Sequence, residues 1–163
     1  MQNTKLDEIL SREKAYLTNK ALHTKYKIQY VSEYAKNWVY VASGNNATNI
    51  NFIDCMCNAG IYQDGDFCSA IEVLKIFRDR AYKYPHKTYN LFLNDYDANK
   101  IRIIKEVCIS LYSSYPQNLH IYFHNEDVNV YLDNIKKIHQ NNILQLKNTI
   151  LLIDSYLVVL ILV

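Results

Sequence analysis

Glycine is scarce in this chain: 3 of 163 residues, beside 2 prolines and 1 tryptophan. Only Gly60 stands where a phosphate or nucleoside loop normally carries two or three glycines, so the dinucleotide fingerprint G-x-G-x-x-G is missing. The sequence G-x-x-x-x-G-K-[ST] is missing too, which excludes a P-loop nucleotide-binding domain. No Ser or Cys sits in a nucleophile-elbow context, because Gly60 and Gly65 do not bracket one. The net charge of +2 is too small to mark the chain as a whole as a nucleic-acid or membrane-surface protein. Cys55, Cys57, Cys68 and Cys108 offer one C-x-C step, with no second pair and no nearby His. That is not a zinc pattern, so no metal site is expected, and the thiols read as small buried residues in and beside a strand. The start, MQNTKLDEILSREK, is polar and unlike a signal peptide, and the apolar runs fall short of the ~20 residues a membrane span needs. These features predict a cytoplasmic chain with reduced cysteines.

Half of the residues are hydrophobic and 21% are charged, as in an ordinary globular domain. The 15 tyrosines, with abundant Asn, Lys and Ile, look like the codon bias of an AT-rich genome and carry no functional argument. Apolar residues recur at helical spacing over 5–19 and again over 23–43, where Tyr30, Val31, Tyr34, Trp38, Val41 and Ala42 read as one stripe. A strand over 50–53 follows, then a loop to about Cys68, then a helix over 70–82 with Ser69 as its N-cap. Two further strand–helix units are predicted: strand 89–93 with helix 98–112, and strand 120–123 with helix 128–139. A fourth strand covers 149–153. Alternating strands and helices imply βαβ units, a parallel sheet and helices on both faces. The expected organisation is a helical segment over 1–46, an incomplete Rossmann-like domain of about four strands over 47–156, and an apolar tail over 157–163, all in one compact unit.

Asp54, Asp95, Asp127 and Asp154 each fall at the C-terminal end of a predicted strand. In a parallel sheet those ends share one edge, and ligands of open α/β sheets bind outside that edge where the strand order reverses. Asp is also a common turn former and helix N-cap, which weighs against any single one of the four more than against the set. A dinucleotide site wants an acid about 20 residues after its glycines. Here Asp95 lies 35 residues after Gly60, a gap that suits the longer loop and full helix of a methyltransferase nucleoside site. No histidine suggests a different enzyme, and His124 beside Asp127 reads as a strand-end polar residue.

Three segments resemble the three-Cys-motif partner proteins, whose N-terminal part looks like a class I S-adenosylmethionine-dependent methyltransferase. His23 to Lys27, leading to Tyr34 and Trp38, is similar to the family's H-x-x-x-K helix with a later Y-x-x-x-W. Asp54, Gly60, Tyr62, Gly65 and Ser69 match the pattern D-G-F-A-G-P-G-x-Y-x-x-G-x-x-G-S-P-L. Ile153-Asp154-Ser155-Tyr156 stands where the family has a D-P-[FY]-G-like step. The sequence departs from the pattern at Asn58, Cys57, Cys68 and Ala70, and Ser155 replaces a proline. The resemblance implies S-adenosylmethionine as cofactor. It would be held by Asp54, Cys57, Asn58 and Gly60 at its amino-acid part, by Asp95 at the ribose and by Asp127 at the adenine. It implies Asp154 and Tyr156 as the pair that positions a methyl acceptor, with a nucleic acid among the acceptors allowed. It also implies a three-Cys-motif protein as partner.

A complete methyltransferase sheet continues beyond its fourth strand, and this chain stops shortly after it. The expectation is a truncated or frameshifted relative whose fourth strand is an open edge. The tail LVVLILV would extend that strand, fold back on a sheet face, or pair with another chain. Three functional readings stay open: a cofactor-binding methyltransferase-like domain, a non-catalytic partner-binding module that is a degenerate remnant of the family, or a nucleotide-binding domain of another α/β class without a P-loop.

Overall fold

The computed structural model describes residues 4–141 and 146–153, together with the backbone of 159–162. Strands β1 (Asn49–Asp54), β2 (Thr88–Asn94), β3 (Leu119–His124) and β4 (Thr149–Leu152) form a parallel sheet in the order β3-β2-β1-β4. Helices α1 (Thr4–Arg12) and α2 (Leu22–Gly44) precede the sheet. Helices α3 (Ser69–Lys83), α4 (Ala98–Leu111) and α5 (Val128–Gln140) connect its strands. This is an α/β, Rossmann-like arrangement with helices on both faces.

The two faces follow from the period-two alternation of each strand. On one face Ile50 and Phe52 of β1, Leu91 and Leu93 of β2, and Ile150 and Leu152 of β4 point into the larger core. That core is closed by Val31, Ala35 and Val39 of α2, Leu74 and Phe77 of α3, and Ile104 and Val107 of α4. Each of the large side chains buried there contributes about 1.5–3 kcal/mol. On the other face Ile53, Cys55 and Leu151 meet Tyr131 and Ile135 of α5 in a smaller cluster.

Several expectations need correction. The fourth strand is not an open edge, because β5 (Val159–Leu162) pairs with it antiparallel, Leu152 opposite Val159. Part of the tail is thus a fifth strand that doubles back along the sheet edge. The buried stripe of α2 is Val31, Ala35, Val39 and Ala42, while Tyr30, Tyr34 and Val41 are exposed. Small and β-branched residues let α2 lie close against α3, and the tyrosines beside them turn to solvent. The N-cap of α3 is Cys68, without a side-chain cap, and Ser69 is the first helical residue. Asp97 and Asp127 cap α4 and α5 through Asn99 and Asn129 backbone N–H groups, at 2.8 and 2.9 Å.

The N-terminal segment is pinned by charge. Arg102 of α4 donates two hydrogen bonds to the buried Glu13 carboxylate, Nη1 to Oε1 at 3.0 Å and Nη2 to Oε2 at 2.6 Å. Arg12 bonds both Glu13 and Glu106. Arg102 and then Arg12 hold the Glu13 carboxyl down at about 2. Its stabilising contribution is therefore present above the ordinary carboxylate range and is lost as pH falls towards 2. Glu13→Gln is expected to lower the unfolding free energy in urea by about 1–2 kcal/mol at pH 7, with the difference shrinking in acid. Equal unfolding midpoints at pH 7 would show that the clamp adds nothing.

Candidate functional site

Strand β1 has β2 on one side and β4 on the other, so the strand order reverses at β1 and a crevice opens beyond its C-terminal end. A cleft of about 230 Å³ lies there. Asp54, Cys57, Asn58 and Asp95 line it from the sheet side. Thr18, His23 and Lys27 close it from the N-terminal side.

The loop that follows β1 is held by the acids themselves. Asp54 is the last residue of β1 and accepts from the Met56 backbone N–H at 3.1 Å through Oδ1. Its Oδ2 accepts no hydrogen bond among the described residues. Asp95 directly follows β2, accepting from Asn58 N–H at 3.0 Å and from Asp97 N–H at 3.0 Å. Asn58 takes the left-handed conformation, φ +59°, where the family pattern has glycine. Its Oδ1 accepts from the Ala59 N–H at 2.8 Å, the local bond that makes this region accessible to Asn. Asn94 completes the frame by donating to the carbonyls of Cys55 and Glu126, at 3.1 and 3.0 Å.

Burial is the main reason that the Asp54 carboxyl is pushed up to about 7, against the lowering effects of the Met56 N–H and Lys27. Near neutral pH it therefore changes from a proton donor to a carboxylate. Cys57 and Cys68 line the same cleft, and burial pushes both thiols up, so neither is a poised thiolate. Among the described residues no three of His, Cys, Asp and Glu gather as a metal-ligand set. Nor is any helix among the described residues long and apolar enough to cross a membrane.

No protein-family model, no curated protein and no solved structure matches this chain.

Of the residues expected at a cofactor, Asp54, Cys57, Asn58 and Asp95 come together in the cleft. Gly60 does not line it. Its φ is +83°, and a Cβ there would sit 2.8 Å from Ile104 Cγ1, so this glycine serves the turn and the close approach of α4. Asp127 also lies away from the cleft; it is exposed and its carboxylate caps α5. Asp154 and Tyr156, expected as the catalytic pair, lie outside the described residues. The wall formed by Thr18, His23 and Lys27 was not anticipated as part of the site. The signal was present: His23 and Lys27 are four residues apart and so share one face of α2. The segment before α2 also clamps the loop, Lys20 pairing with Asp64 at 2.8 Å and with Asp66, while Gln63 donates to the Leu17 carbonyl at 2.8 Å.

Two outcomes test this construction. A buried acid with a raised folded value stabilises most below its ordinary range and loses that contribution as pH rises through about 7. Urea unfolding should show wild-type stability falling between pH 5 and 8, on the order of a few kcal/mol, and Asp54→Asn should flatten the profile. Gly60→Ala should cost roughly 2–4 kcal/mol through backbone strain and the clash with Ile104. An unchanged midpoint in thermal or urea unfolding would remove the packing role assigned to Gly60.

Proposed function

We propose that this chain is a three-Cys-motif partner-like protein whose cleft at the β1–β4 switch point takes S-adenosylmethionine. One observation carries the reading: Asp54, Asn58 and Asp95 line one cleft outside the strand ends. The polar groups suit such a ligand. Asp54 Oδ2, which accepts no hydrogen bond from the described residues, would meet the ligand's ammonium group, and Asp95, with acceptor capacity left beyond its two loop bonds, would meet ribose hydroxyls. Bound there, the cofactor would supply an electrophilic methyl group. This chain's own contribution is orientation, together with a proton held or released at Asp54. Asp127 lies away from this cleft as the N-cap of α5, so the reading gives it no part in holding the adenine. A three-Cys-motif protein as partner, a nucleic acid as methyl acceptor and a cytoplasmic setting belong to the same proposal.

A second reading, a non-catalytic partner-binding module, is favoured by the size of the cleft. About 230 Å³ is below the roughly 300–1,000 Å³ typical of pockets for drug-sized ligands. Both oxygens of Asp95 already accept loop N–H groups, so its acid serves the loop before any ligand.

Titration calorimetry with S-adenosylmethionine and S-adenosylhomocysteine separates the two. The first reading expects heat at pH 8 and an affinity about tenfold lower at pH 6, because a ligand ammonium needs ionised Asp54. Asp54→Asn should bind weakly at both pH values. Absence of heat with folded protein would leave the non-catalytic module.

A further inference from the structure

The sheet face under α5 does not read like the covered face of a parallel sheet. Strands buried on both sides normally carry near-continuous apolar runs. The face towards α2, α3 and α4 does so, but the opposite face bears a polar row in register across four strands: His120, Asn90, Asn51 and Thr149. The row is wired together, Asn90 Nδ2 donating to Asn51 Oδ1 at 2.9 Å and Asn51 Nδ2 to Thr149 Oγ1 at 3.1 Å. That wiring leaves the Asn90 Oδ1 and its second N–H directed to no partner among the described residues.

One step along the strands lies an aromatic row. Phe92 and Tyr122 stack with ring centroids 4.8 Å apart and planes 15° from parallel, and Tyr122 is 43% exposed. His120 is exposed beside them, its ring centroid 6.3 Å from that of Tyr122. His120, Asn90 and Asn51 of the polar row and both members of the aromatic row line one cleft of about 850 Å³ between the sheet and α5. Tyr131 lines it too, and its buried hydroxyl has no hydrogen-bond partner among the described residues. Lys137 stands on the cleft wall, and Lys147 lies in an adjoining hollow that shares Asn49. The acid among the described lining residues, Glu126, is held by Asn134 at 2.9 Å.

These groups make a stacking platform, an amide with a free donor and acceptor, and cations nearby. A purely apolar partner would strand the polar row, and a simple anion would not use the aromatic row. A planar base pairs both edges of an asparagine amide and stacks on aromatic rings, and its phosphate seeks lysine. We infer that the cleft under α5 is a binding site for a nucleotide unit: base on Asn90 and the Phe92–Tyr122 stack, phosphate towards Lys137 and Lys147. The unit could be free or part of a single strand, since both present the same chemistry. This site lies on the sheet face, apart from the switch-point cleft, and does not rest on the function proposed above.

Histidine-selective NMR of the full chain reads both places at once, because His120 and His124 line the sheet-face cleft and His23 lines the other. The probes are adenosine 5′-monophosphate and a short single-stranded oligoadenylate. The expected result is movement of the His120 and His124 signals with His23 unmoved. Tyr122→Ala and Lys137→Glu, both at accessible positions, should each weaken binding, the former about tenfold. Equal affinity per site for the two probes assigns a free nucleotide, and at least tenfold tighter binding of the oligomer assigns a strand. Silent His120 and His124 signals with both probes at millimolar concentration would overturn the inference. So would movement of His23 alone, or affinities unchanged in both variants.

Discussion

Strand β1 is hydrogen-bonded in parallel on both sides, to β2 along its whole length and to β4 over Asn51–Asp54. Every other feature depends on that double pairing. It reverses the strand order, opens the crevice beyond Asp54, and brings the loops after β1 and β2 to one edge. A strand flanked on both sides lies inside the sheet, so its terminal acid Asp54 is buried and depends on a few local partners. The Asp54 carboxyl is raised for this reason, and the loop after it is stitched to Asp95 and Asn94.

The same pairing makes the two faces of the sheet unequal. Three of the long helices, α2, α3 and α4, gather on one face, where the core is continuous and apolar. Helix α5 covers the other with a small cluster around Tyr131 and Ile135. The polar row of Asn51, Asn90 and Thr149 is held there by bonds between its members, which leave part of the Asn90 amide to face the cleft. An apolar covering would gain nothing over that row. The cleft at the strand ends and the cleft on the sheet face are thus built by different sets of residues.

Much of the fold was legible. The apolar periods of two and 3.6 place the strands and the connecting helices within a residue or two of where they lie. The strand-end acids Asp54 and Asp95 were legible for the same reason. The tyrosines of α2 were not. Tyr30 and Tyr34 fit an apolar stripe by spacing, but Tyr is amphipathic and Ala35 and Val39 permit closer packing against α3. Asp127 joins the acid set by spacing, but its carboxylate caps its own helix, a local bond that spacing cannot distinguish from a ligand contact.

The sequence alone determined the alternation of strands and helices, the parallel sheet, and which acids stand at strand ends, because those depend on local periodicity and short-range turn chemistry. Only the tertiary structure decided which of those acids meet. Asp54 and Asp95 share a cleft because β1 and β2 are neighbours, while Asp127 lies past the end of β3, at the N-cap of α5, one strand further out. It also decided that the segment around Thr18–Lys27 forms the far wall, that Gly60 packs against Ile104, and that β5 turns back along β4. Each of these is a contact between residues distant in sequence, fixed by the order of strands and by packing, and no local pattern encodes it.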